Sequence, residues 1–338
     1  MLNPRKHTVS SAGDKYNYLL FDCAGDFHDF VDHQTRELSP ANKARWKETN
    51  VYTRERLEKG STWYGDPPPA DLNELNAHDT FSGLHLVKQI KPKIKAYLYK
   101  YLNHLEAEEM PKPRIAYNDR GIGVFSFDRA AMNLQRLEKV SLSTPLDKTA
   151  SQLNIELGRT KIITTVKKAY AWFEHRESSL PAIRLYLVAG ANADIEGNNI
   201  LYTGLGCCEL AEFMELRGVP VEVNILIETS FQAQTVVACV RVKRFQDKVD
   251  LNQLLLISSD PKYYRYRGFK ALIAMANYFD LFIPEGLGST LPDIGKGFVN
   301  ALGTKGFVFE QSYSLEAAAR EVKQIIDIYN LTRKNGKG

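Results

Sequence analysis

The second half of the chain alternates apolar runs with amphipathic segments. Residues 182–188 form a short apolar run with β-branched and aromatic side chains, which predicts a buried strand. Residues 201–218 carry apolar side chains at helical spacing and end at Gly218, a typical helix stop. Residues 219–227 then alternate with a period of two, which predicts a second strand. Two strands joined by a helix predict a βαβ unit in a parallel sheet that helices cover.

A third strand is predicted at residues 235–242, directly after the link 228–234. The link is too short to contain a crossover helix, so we expect this strand to be antiparallel and to lie at the edge of the sheet. Arg241 and Lys243 would then protect the free edge against pairing with another chain. Three further elements are predicted downstream: a helix followed by a strand within residues 264–283, a short strand at 305–310, and an amphipathic helix at 314–330 that is capped by Ser314.

The N-terminal part of the chain is polar, rich in helical patterns and interrupted by prolines. A helix is predicted from Ser39, as its N-cap, to Gly60, and Asp71 is placed to cap a short helix after three consecutive prolines. The longest helical pattern covers residues 86–113 and contains Pro92, which we expect in the first turn or at a kink. These patterns predict several helices ahead of the α/β half.

The change in pattern divides the chain into two predicted domains. A polar segment at residues 143–154 marks the boundary between them. We therefore expect a helix-rich N-terminal domain at residues 1–145, an α/β domain with a mostly parallel sheet and helices on both faces at 146–330, and a basic tail at 331–338.

Composition changes this picture only by excluding classes of protein. The 338 residues carry a net charge of +4, with 44% apolar and 25% charged residues, as in an ordinary globular protein. The N-terminus lacks the apolar core of a signal peptide, and no run approaches the ~18 apolar residues of a membrane-spanning helix. We expect a cytoplasmic protein with no membrane partner, in which the cysteines are reduced and buried.

Two clusters of basic and aromatic residues are candidates for contact with a partner. One lies in the helical pattern at 86–113 and the other in the segment 260–270. Lysine and arginine side chains can follow a phosphate backbone, and tyrosine rings can stack on bases. The alternative is a solvated helix face whose tyrosines pack inward. The candidate residues are Lys93, Lys95, Tyr99, Lys100, Arg265, Arg267 and Lys270.

Histidines and acidic residues cluster near the start of the chain. On a helix, His28 would face Asp32, and Asp29 would face His33, because the members of each pair are four residues apart. A metal site would need further ligands from elsewhere. We therefore interpret this segment as the solvated start of a helix.

No catalytic motif stands out in the sequence. It has no Gly-x-Ser-x-Gly elbow and no Cys-x-x-Cys pair. The glycine-rich stretch that ends in Gly295, Lys296 and Gly297 lacks the hydroxyl residue that completes a phosphate loop. We therefore expect a protein without catalytic residues.

One stretch of the α/β half resembles a known family. Residues 199–226, NILYTGLGCCELAEFMELRGVPVEVNIL, combine a helix of small residues with the ending ELRGVPVEV. This stretch, together with DPKYYRYRGF and, more weakly, WYGDPPPADLNEL and NDRGIGVFSFDRAAM, is similar to an uncharacterised, often phage-encoded family with a von Willebrand factor A-like core. The resemblance implies a von Willebrand A-like fold and a place in the host-cell cytoplasm or in the virion.

The resemblance also bears on a metal site. Von Willebrand A domains usually bind Mg²⁺ through an Asp-x-Ser-x-Ser loop after the first strand, because oxygen ligands suit this hard cation. Here the matching residues 190–194 read Gly-Ala-Asn-Ala-Asp and keep one carboxylate. Asn192, Asp194 and Thr203 are the remaining weak candidates for ligands. We therefore expect a degenerate metal site and no cofactor.

These patterns together favour a non-catalytic binding protein. Domains of the von Willebrand A type are usually interaction modules, so the expected partner is a protein that meets the rim of the crevice or the edge strand. The alternative is a nucleic-acid-binding protein that uses the two clusters of Lys, Arg and Tyr residues.

Overall fold

The structure of the protein, a computed structural model, contains two compact units. The first unit combines Met1–Glu109, Leu180–Glu215 and Val219–Gly338, and the second combines Met110–Ser179 and Leu216–Gly218. The structure describes residues 3–11, 13–78, 81, 83–109, 115–118, 124–129, 151–157, 160–166, 170–173, 182–195, 197–232, 234–284, 286–289 and 291–335.

The strands of the described residues are β1 (His7–Ser11), β2 (Asp14–Phe21), β3 (Ile115–Asn118), β4 (Val124–Phe125), β5 (Ser151–Leu157), β6 (Thr160–Val166), β7 (Tyr170–Phe173), β8 (Ile183–Val188), β9 (Val221–Phe231), β10 (Gln234–Lys243) and β11 (Phe307–Phe309). Six of them form one sheet of the first unit, in the order β1-β2-β10-β9-β8-β11. β8 pairs in parallel with β9 and with β11, and β10 is antiparallel to β9 but parallel to β2. The first unit is therefore an α/β structure with a mostly parallel central sheet.

The α-helices of the described residues include α1 (Ala24–Arg36), α2 (Pro40–Glu58), α3 (Leu72–Asn76), α4 (Leu84–Glu109), α5 (Leu201–Leu216), α6 (Leu251–Ser259), α7 (Phe269–Tyr278), α8 (Ile294–Leu302) and α9 (Leu315–Asn335). Ser39 Oγ accepts the Asn42 N–H at 3.4 Å, and Asp71 Oδ1 accepts two N–H groups at the start of α3, which confirms both predicted N-caps. Pro92 lies in the interior of α4. Within the described ranges, no helix combines the length and the apolar character that crossing a membrane requires.

The centre of the sheet follows the apolar pattern of the sequence. Leu185, Leu187 and Val188 of β8 are fully buried, and β9 is buried from Val221 through Thr229. Strands that are buried on both faces are typical of parallel sheets that helices cover. The βαβ unit predicted from β8, α5 and β9 is confirmed.

The place of β10 in the sheet differs from the prediction. β10 is antiparallel to β9, as expected, but β2 pairs with its other side from Gln234 to Val240. Lys243 is 2% exposed, its Nζ donates to the Val221 carbonyl at 2.7 Å, and it forms an ion pair with Glu215. The expectation of an edge strand is wrong, because the strand that pairs with β10 lies near the start of the chain.

The strand expected within residues 264–283 is also wrong. A π-helix (Tyr263–Gly268) leads directly into α7, and no strand follows α7 in this segment. The helix ends because Asp280 has a φ of 60° and the Leu281 N–H returns to the Ala276 carbonyl at 2.8 Å. All six residues of the π-helix are buried.

A buried charge cluster joins α1 to the π-helix. Arg267, which is 2% exposed, donates to both carboxylate oxygens of Asp32 at 3.1 Å and to Nδ1 of His28 at 3.2 Å. His28 is 6% exposed, so the expectation of a solvated helix start is wrong for this histidine. Burial, followed by the charge of Arg267, lowers the pKa of His28 to about 3. The imidazole is therefore neutral at pH 7 and can accept the hydrogen bond from Arg267.

We expect Asp32→Ala to lower the free energy of unfolding by about 2 kcal/mol at pH 7, because Arg267 would keep a buried charge without a carboxylate. Removing one partner of a fully buried pair costs about 3–5 kcal/mol, and the partial exposure of Asp32 reduces this cost. Lys270 Nζ, 3.2 Å from Asp32 Oδ1, would lose the same partner. Urea unfolding measures the change, and Asp29→Ala, which removes an exposed carboxylate of the same helix, is the control.

The pKa of Asp32 sets the pH range of this stabilisation. Burial raises this pKa, but the hydrogen bonds and charges of Arg267 and Lys270 outweigh burial and hold it at about 2. A lowered folded-state pKa stabilises the protein above the usual pKa of aspartate, and the effect is lost as the pH falls toward about 2. Equal stability of Asp32→Ala and the wild type at pH 7 would contradict the proposed role of the pair.

Three of the four cysteines match the expectation of buried thiols. Cys207, Cys208 and Cys239 are buried and free, whereas Cys23 is exposed. Burial raises the pKa of Cys207 and of Cys239 to about 12, so both remain thiols at neutral pH. Cys23 Sγ instead accepts the Asp26 N–H at 3.4 Å at the start of α1.

The second unit contains two small sheets. β7 pairs antiparallel with β3 and with β4, and β5 pairs antiparallel with β6. The contacts divide the chain differently from the boundary expected at residue 145, because β1 and β2 belong to the sheet of the first unit. At the other end, α9 continues to Asn335 through most of the segment expected to be a basic tail, and residues 336–338 lie outside the described residues.

Candidate functional site

The carboxyl ends of three parallel strands lie at one edge of the central sheet. The loop 189–195 follows β8, Glu228 lies near the end of β9, and Glu310 follows β11. The register of β8 with β9 and with β11 makes these segments neighbours. Ligands of open α/β sheets bind outside the carboxyl ends of the strands, so this edge is the first candidate for a ligand-binding site.

An aromatic ring occupies the space beside the first part of this loop. Gly190 has a φ of +99°, and a Cβ atom there would collide with the ring of Tyr264 from the π-helix. Tyr264 Oη donates to the Gly288 carbonyl at 3.4 Å, and burial raises the pKa of this tyrosine. The close approach of the ring therefore requires glycine at position 190.

A buried guanidinium binds the second part of the loop. Arg265 Nη2 donates to the Asn192 carbonyl at 3.2 Å and to the Ile195 carbonyl at 2.6 Å. Its Nη1 donates to the Trp63 carbonyl. The side chain is fully buried, and burial lowers the pKa of Arg265 to about 10, so it remains a cation at neutral pH. The main-chain oxygens of this loop thus already bind a positive charge of the chain itself.

The residues present do not fit a Mg²⁺ ion at this loop. Thr203 Oγ1 donates to the Ser312 carbonyl at 2.7 Å and accepts the Ser312 N–H at 2.9 Å, so this hydroxyl is engaged elsewhere. Asn192 and Asp194 are exposed, and they supply one carboxylate and one amide beside the cation of Arg265. Mg²⁺ gives up its water only for a well-placed and negatively charged set of ligands. Among the described residues, no group of three or more His, Cys, Asp or Glu side chains is arranged to hold a metal ion.

Two carboxyl groups at this edge have raised pKa values. Glu228 is 1% exposed, and neither of its carboxyl oxygens has a hydrogen-bond partner among the described residues. Burial, followed by the charge of Glu310, raises the pKa of Glu228 well above its usual value. Burial also raises the pKa of Glu310 to about 7, although Glu310 Oε1 accepts the Lys296 N–H at 3.1 Å. The raised pKa values reduce the negative charge that this edge offers to a divalent cation near neutral pH.

A second candidate site is a pocket of about 290 Å³ beside the turn Thr62–Tyr64. We call it the arginine–tryptophan pocket. One wall is a face of α2, and the others come from the turn, the π-helix and the start of α7. The arginine and most of the aromatic side chains that line it are Arg45, Tyr52, Arg56, Trp63, Arg265 and Phe269.

Trp63 organises the cations of this pocket. The guanidinium carbons of Arg56 and Arg265 lie 4.3 Å and 4.6 Å from the centre of the Trp63 ring, within the range of cation–π attraction. Trp63 Nε1 donates to the Ala193 carbonyl at 3.2 Å, which fixes the ring against the loop after β8. The pocket is therefore built on the same Arg265 that binds that loop.

The basic candidates of the segment 260–270 are engaged within the chain. Arg265 and Arg267 are at most 2% exposed and bind main-chain carbonyls and Asp32, respectively. The side chain of Lys270 is 15% exposed and forms an ion pair with Asp32. Contact of these residues with a partner stays a prediction, although their exposed surface is small.

The basic candidates on α4 are placed differently. Lys93, Lys95 and Tyr99 are exposed on α4, and Lys95 Nζ lies 5.7 Å from the centre of the Tyr99 ring. The side chain of Lys100 lies outside the described residues. An exposed group of this kind is available to a partner, and such contact also stays a prediction.

Sequence reasoning missed the pocket residues Arg45, Arg56 and Trp63. A signal was present, because Arg45, Tyr52 and Arg56 are seven and four residues apart and so share one face of a helix. Trp63 gave no such signal, because its place beside that face depends on how the chain turns after α2.

Comparisons with known proteins found one similarity, which covers part of the chain. Neither the curated proteins nor the solved structures that were compared with the chain gave a match. The model of one family, described as a domain of unknown function (DUF7192), matches residues 168–333. The matched segment includes β8, α5, β9, β10, the π-helix and β11. The α/β part of this chain is therefore similar to an uncharacterised domain family.

Proposed function

We propose that this protein is a non-catalytic binding protein whose α/β part is a von Willebrand A-like domain with a degenerate metal site. The observation that carries the proposal is the guanidinium of Arg265, bound by the carbonyls of Asn192 and Ile195 in the loop that would hold Mg²⁺. A fixed positive charge there repels a second cation. The succession of β8, a polar loop, α5, β9 and the antiparallel β10 supports the fold, because domains of this type begin in that way.

We infer that the partner is a protein. Von Willebrand A domains are usually interaction modules, and the rim formed by the loop after β8 is the surface that this analogy favours. From the resemblance to an uncharacterised, often phage-encoded family, we infer that the interaction occurs in the host-cell cytoplasm or in the virion. A pull-down from phage-infected cells with and without nuclease tests this inference, since a protein partner stays bound after nuclease treatment.

We expect millimolar Mg²⁺ to leave the melting temperature unchanged, because a ligand that does not bind the folded state cannot stabilise it. Differential scanning fluorimetry in MgCl₂, compared with NaCl of equal ionic strength, measures this. Asp194→Ala is expected to respond to neither salt differently from the wild type. A rise in melting temperature with Mg²⁺ that Asp194→Ala abolishes would show a working metal site and overturn the proposal.

Nucleic-acid binding is a second candidate function, and the exposed group on α4 favours it. Lys93 and Lys95 are exposed on the same helix as Tyr99, which combines cations for phosphates with a ring for stacking. Anisotropy of a labelled single-stranded oligonucleotide without terminal phosphates tests this candidate. The protein-partner proposal predicts no binding that weakens steeply with salt.

A matched pair of double variants sharpens this experiment. Lys93→Ala with Lys95→Ala removes the two cations on α4, and Lys305→Ala with Lys323→Ala removes two exposed lysines elsewhere. Steeply salt-dependent binding that only the first double variant loses would assign nucleic acid as the partner in place of a protein.

A further inference from the structure

The arginine–tryptophan pocket concentrates positive charge. Arg45, Arg56 and Arg265 line it, and none of the described residues that line it is acidic. Arg45 forms an ion pair with Glu48 at 2.8 Å, so one of the three cations has a partial counter-charge nearby. The other two arginines carry like charges that repel each other, so the charge of Arg56 adds to burial in lowering the pKa of Arg265. The pocket therefore favours an anionic occupant.

Two donors of these arginines are buried without an acceptor. Nε of Arg45 and Nε of Arg265 have no hydrogen-bond partner among the described residues. The remaining hydrogen bonds of Arg265 go to the main-chain carbonyls of Trp63, Asn192 and Ile195, and the described residues give this buried charge no carboxylate partner. A buried cation without a nearby anion is costly, so an anionic ligand in the pocket would supply the counter-charge that Arg265 lacks among the described residues.

The walls of the pocket are flat and aromatic. Trp63 and Phe269 line it, and Tyr52, which is 58% exposed, stands at the side of α2. The volume of about 290 Å³ lies at the small end of ligand pockets, which start near 300 Å³. The guanidinium groups of Arg56 and Arg265 already lie over the Trp63 ring, so Tyr52 and Phe269 are the rings that can stack on the π-face of a base. The space suits one such group rather than a long segment of chain.

We propose that the arginine–tryptophan pocket binds a nucleoside phosphate. Arg56 and Arg45 bind the phosphate, the fully buried Arg265 adds positive charge beside it, and the rings of Tyr52 and Phe269 contact the base. Guanidinium groups match phosphate oxygens in a forked geometry, which gives both charge and direction. The same chemistry is offered by a free mononucleotide and by the phosphorylated end of a nucleic-acid strand. The inference does not depend on the nature of the macromolecular partner.

Isothermal titration with adenosine monophosphate, adenosine and inorganic phosphate tests the proposal. We expect adenosine monophosphate to bind at least about tenfold more tightly than either of its parts, because only the whole ligand uses both the arginines and the rings. An oligonucleotide with a 5′-phosphate, compared with the same strand without it, separates the two sources of the ligand. Preference for the phosphorylated strand over the mononucleotide assigns the strand end.

Two neighbouring arginines of α2 provide a matched comparison. Arg56 and Arg54 are both exposed, but only Arg56 lines the pocket. We expect Arg56→Ala to weaken binding of adenosine monophosphate at least about tenfold, Arg56→Lys to weaken it less, and Arg54→Ala to leave it within about twofold of the wild type. Absence of binding at millimolar nucleotide, or an equal loss in Arg56→Ala and Arg54→Ala, would overturn the proposal.

Discussion

Replacing Arg265 with methionine is expected to lower the free energy of unfolding by about 3 kcal/mol, because three main-chain carbonyls would lose their donor. The side chain is fully buried, so water cannot take over these hydrogen bonds without opening the structure. Relief of the buried charge offsets part of the cost, since an isolated guanidinium is itself poorly solvated there. Methionine keeps most of the volume, so the change reports on hydrogen bonding more than on packing.

Urea unfolding at pH 7 with circular dichroism detection measures this effect. Arg54→Met is the control, because Arg54 is exposed and does not line the arginine–tryptophan pocket. Arg265→Lys should also be destabilised, since one ammonium group cannot reach the carbonyls of Trp63, Asn192 and Ile195 together. A methionine variant as stable as the wild type would mean that Arg265 does not hold the loop after β8.

The second large effect is a loss of stability as the pH rises from about 4.5 to about 7. Burial raises the pKa of Glu310 from near 4.5 to about 7. In this interval the folded protein keeps a proton that the unfolded chain has released, so the free energy of unfolding falls with rising pH and the full penalty is present above pH 7. The size is about 3 kcal/mol, at about 1.4 kcal/mol for each pH unit. Glu228, with a pKa raised in the same direction, adds to the trend.

Glu310→Gln is expected to remove most of this dependence and to be the more stable protein at pH 8 by up to about 3 kcal/mol. The amide oxygen of glutamine can still accept the Lys296 N–H, so the start of α8 keeps its contact. Lys296, Asp293 and Glu321 carry the charges near Glu310: Lys296 lowers the pKa of Glu310, whereas Glu321 and Asp293 raise it.

Glu316→Gln is the matched control, because Glu316 is exposed on α9. Chemical unfolding at several pH values between 4 and 8 measures the dependence in both variants and in the wild type. A wild-type stability that stays flat across this range, or a Glu310→Gln variant that follows the wild type at every pH, would contradict the raised pKa.

Local sequence patterns were enough to predict the central part of the fold. The apolar run of β8, the small-residue helix α5 and the alternation of β9 are each visible within about twenty residues, and their order alone implies a βαβ unit. The place of β10 was missed because it depends on β2, which pairs with it from the other end of the sequence. Arg241 and Lys243 at the end of β10 look like protection of an edge, but Lys243 is buried against the Val221 carbonyl.

The site was harder to predict than the fold. Arg265 and Arg267 look like surface residues in the sequence DPKYYRYRGF. Nothing in the local sequence shows that Arg265 donates to main-chain carbonyls and that Arg267 donates to Asp32. A main-chain carbonyl has no sequence signature, since every residue carries one. Glu228 likewise reads as the polar end of a strand until the structure shows both of its oxygens without partners among the described residues.

The insertion of β2 between β1 and β10 has a practical consequence for work on fragments. A polypeptide limited to the family-matched residues 168–333 would keep β10 but lack the strand that pairs with it from Gln234 to Val240. The exposed row of N–H and C=O groups would be open to self-association with another copy. β1 and β2 thus cover the edge of β10 within the same chain. We expect a truncated form that lacks them to aggregate, so a fragment should retain them.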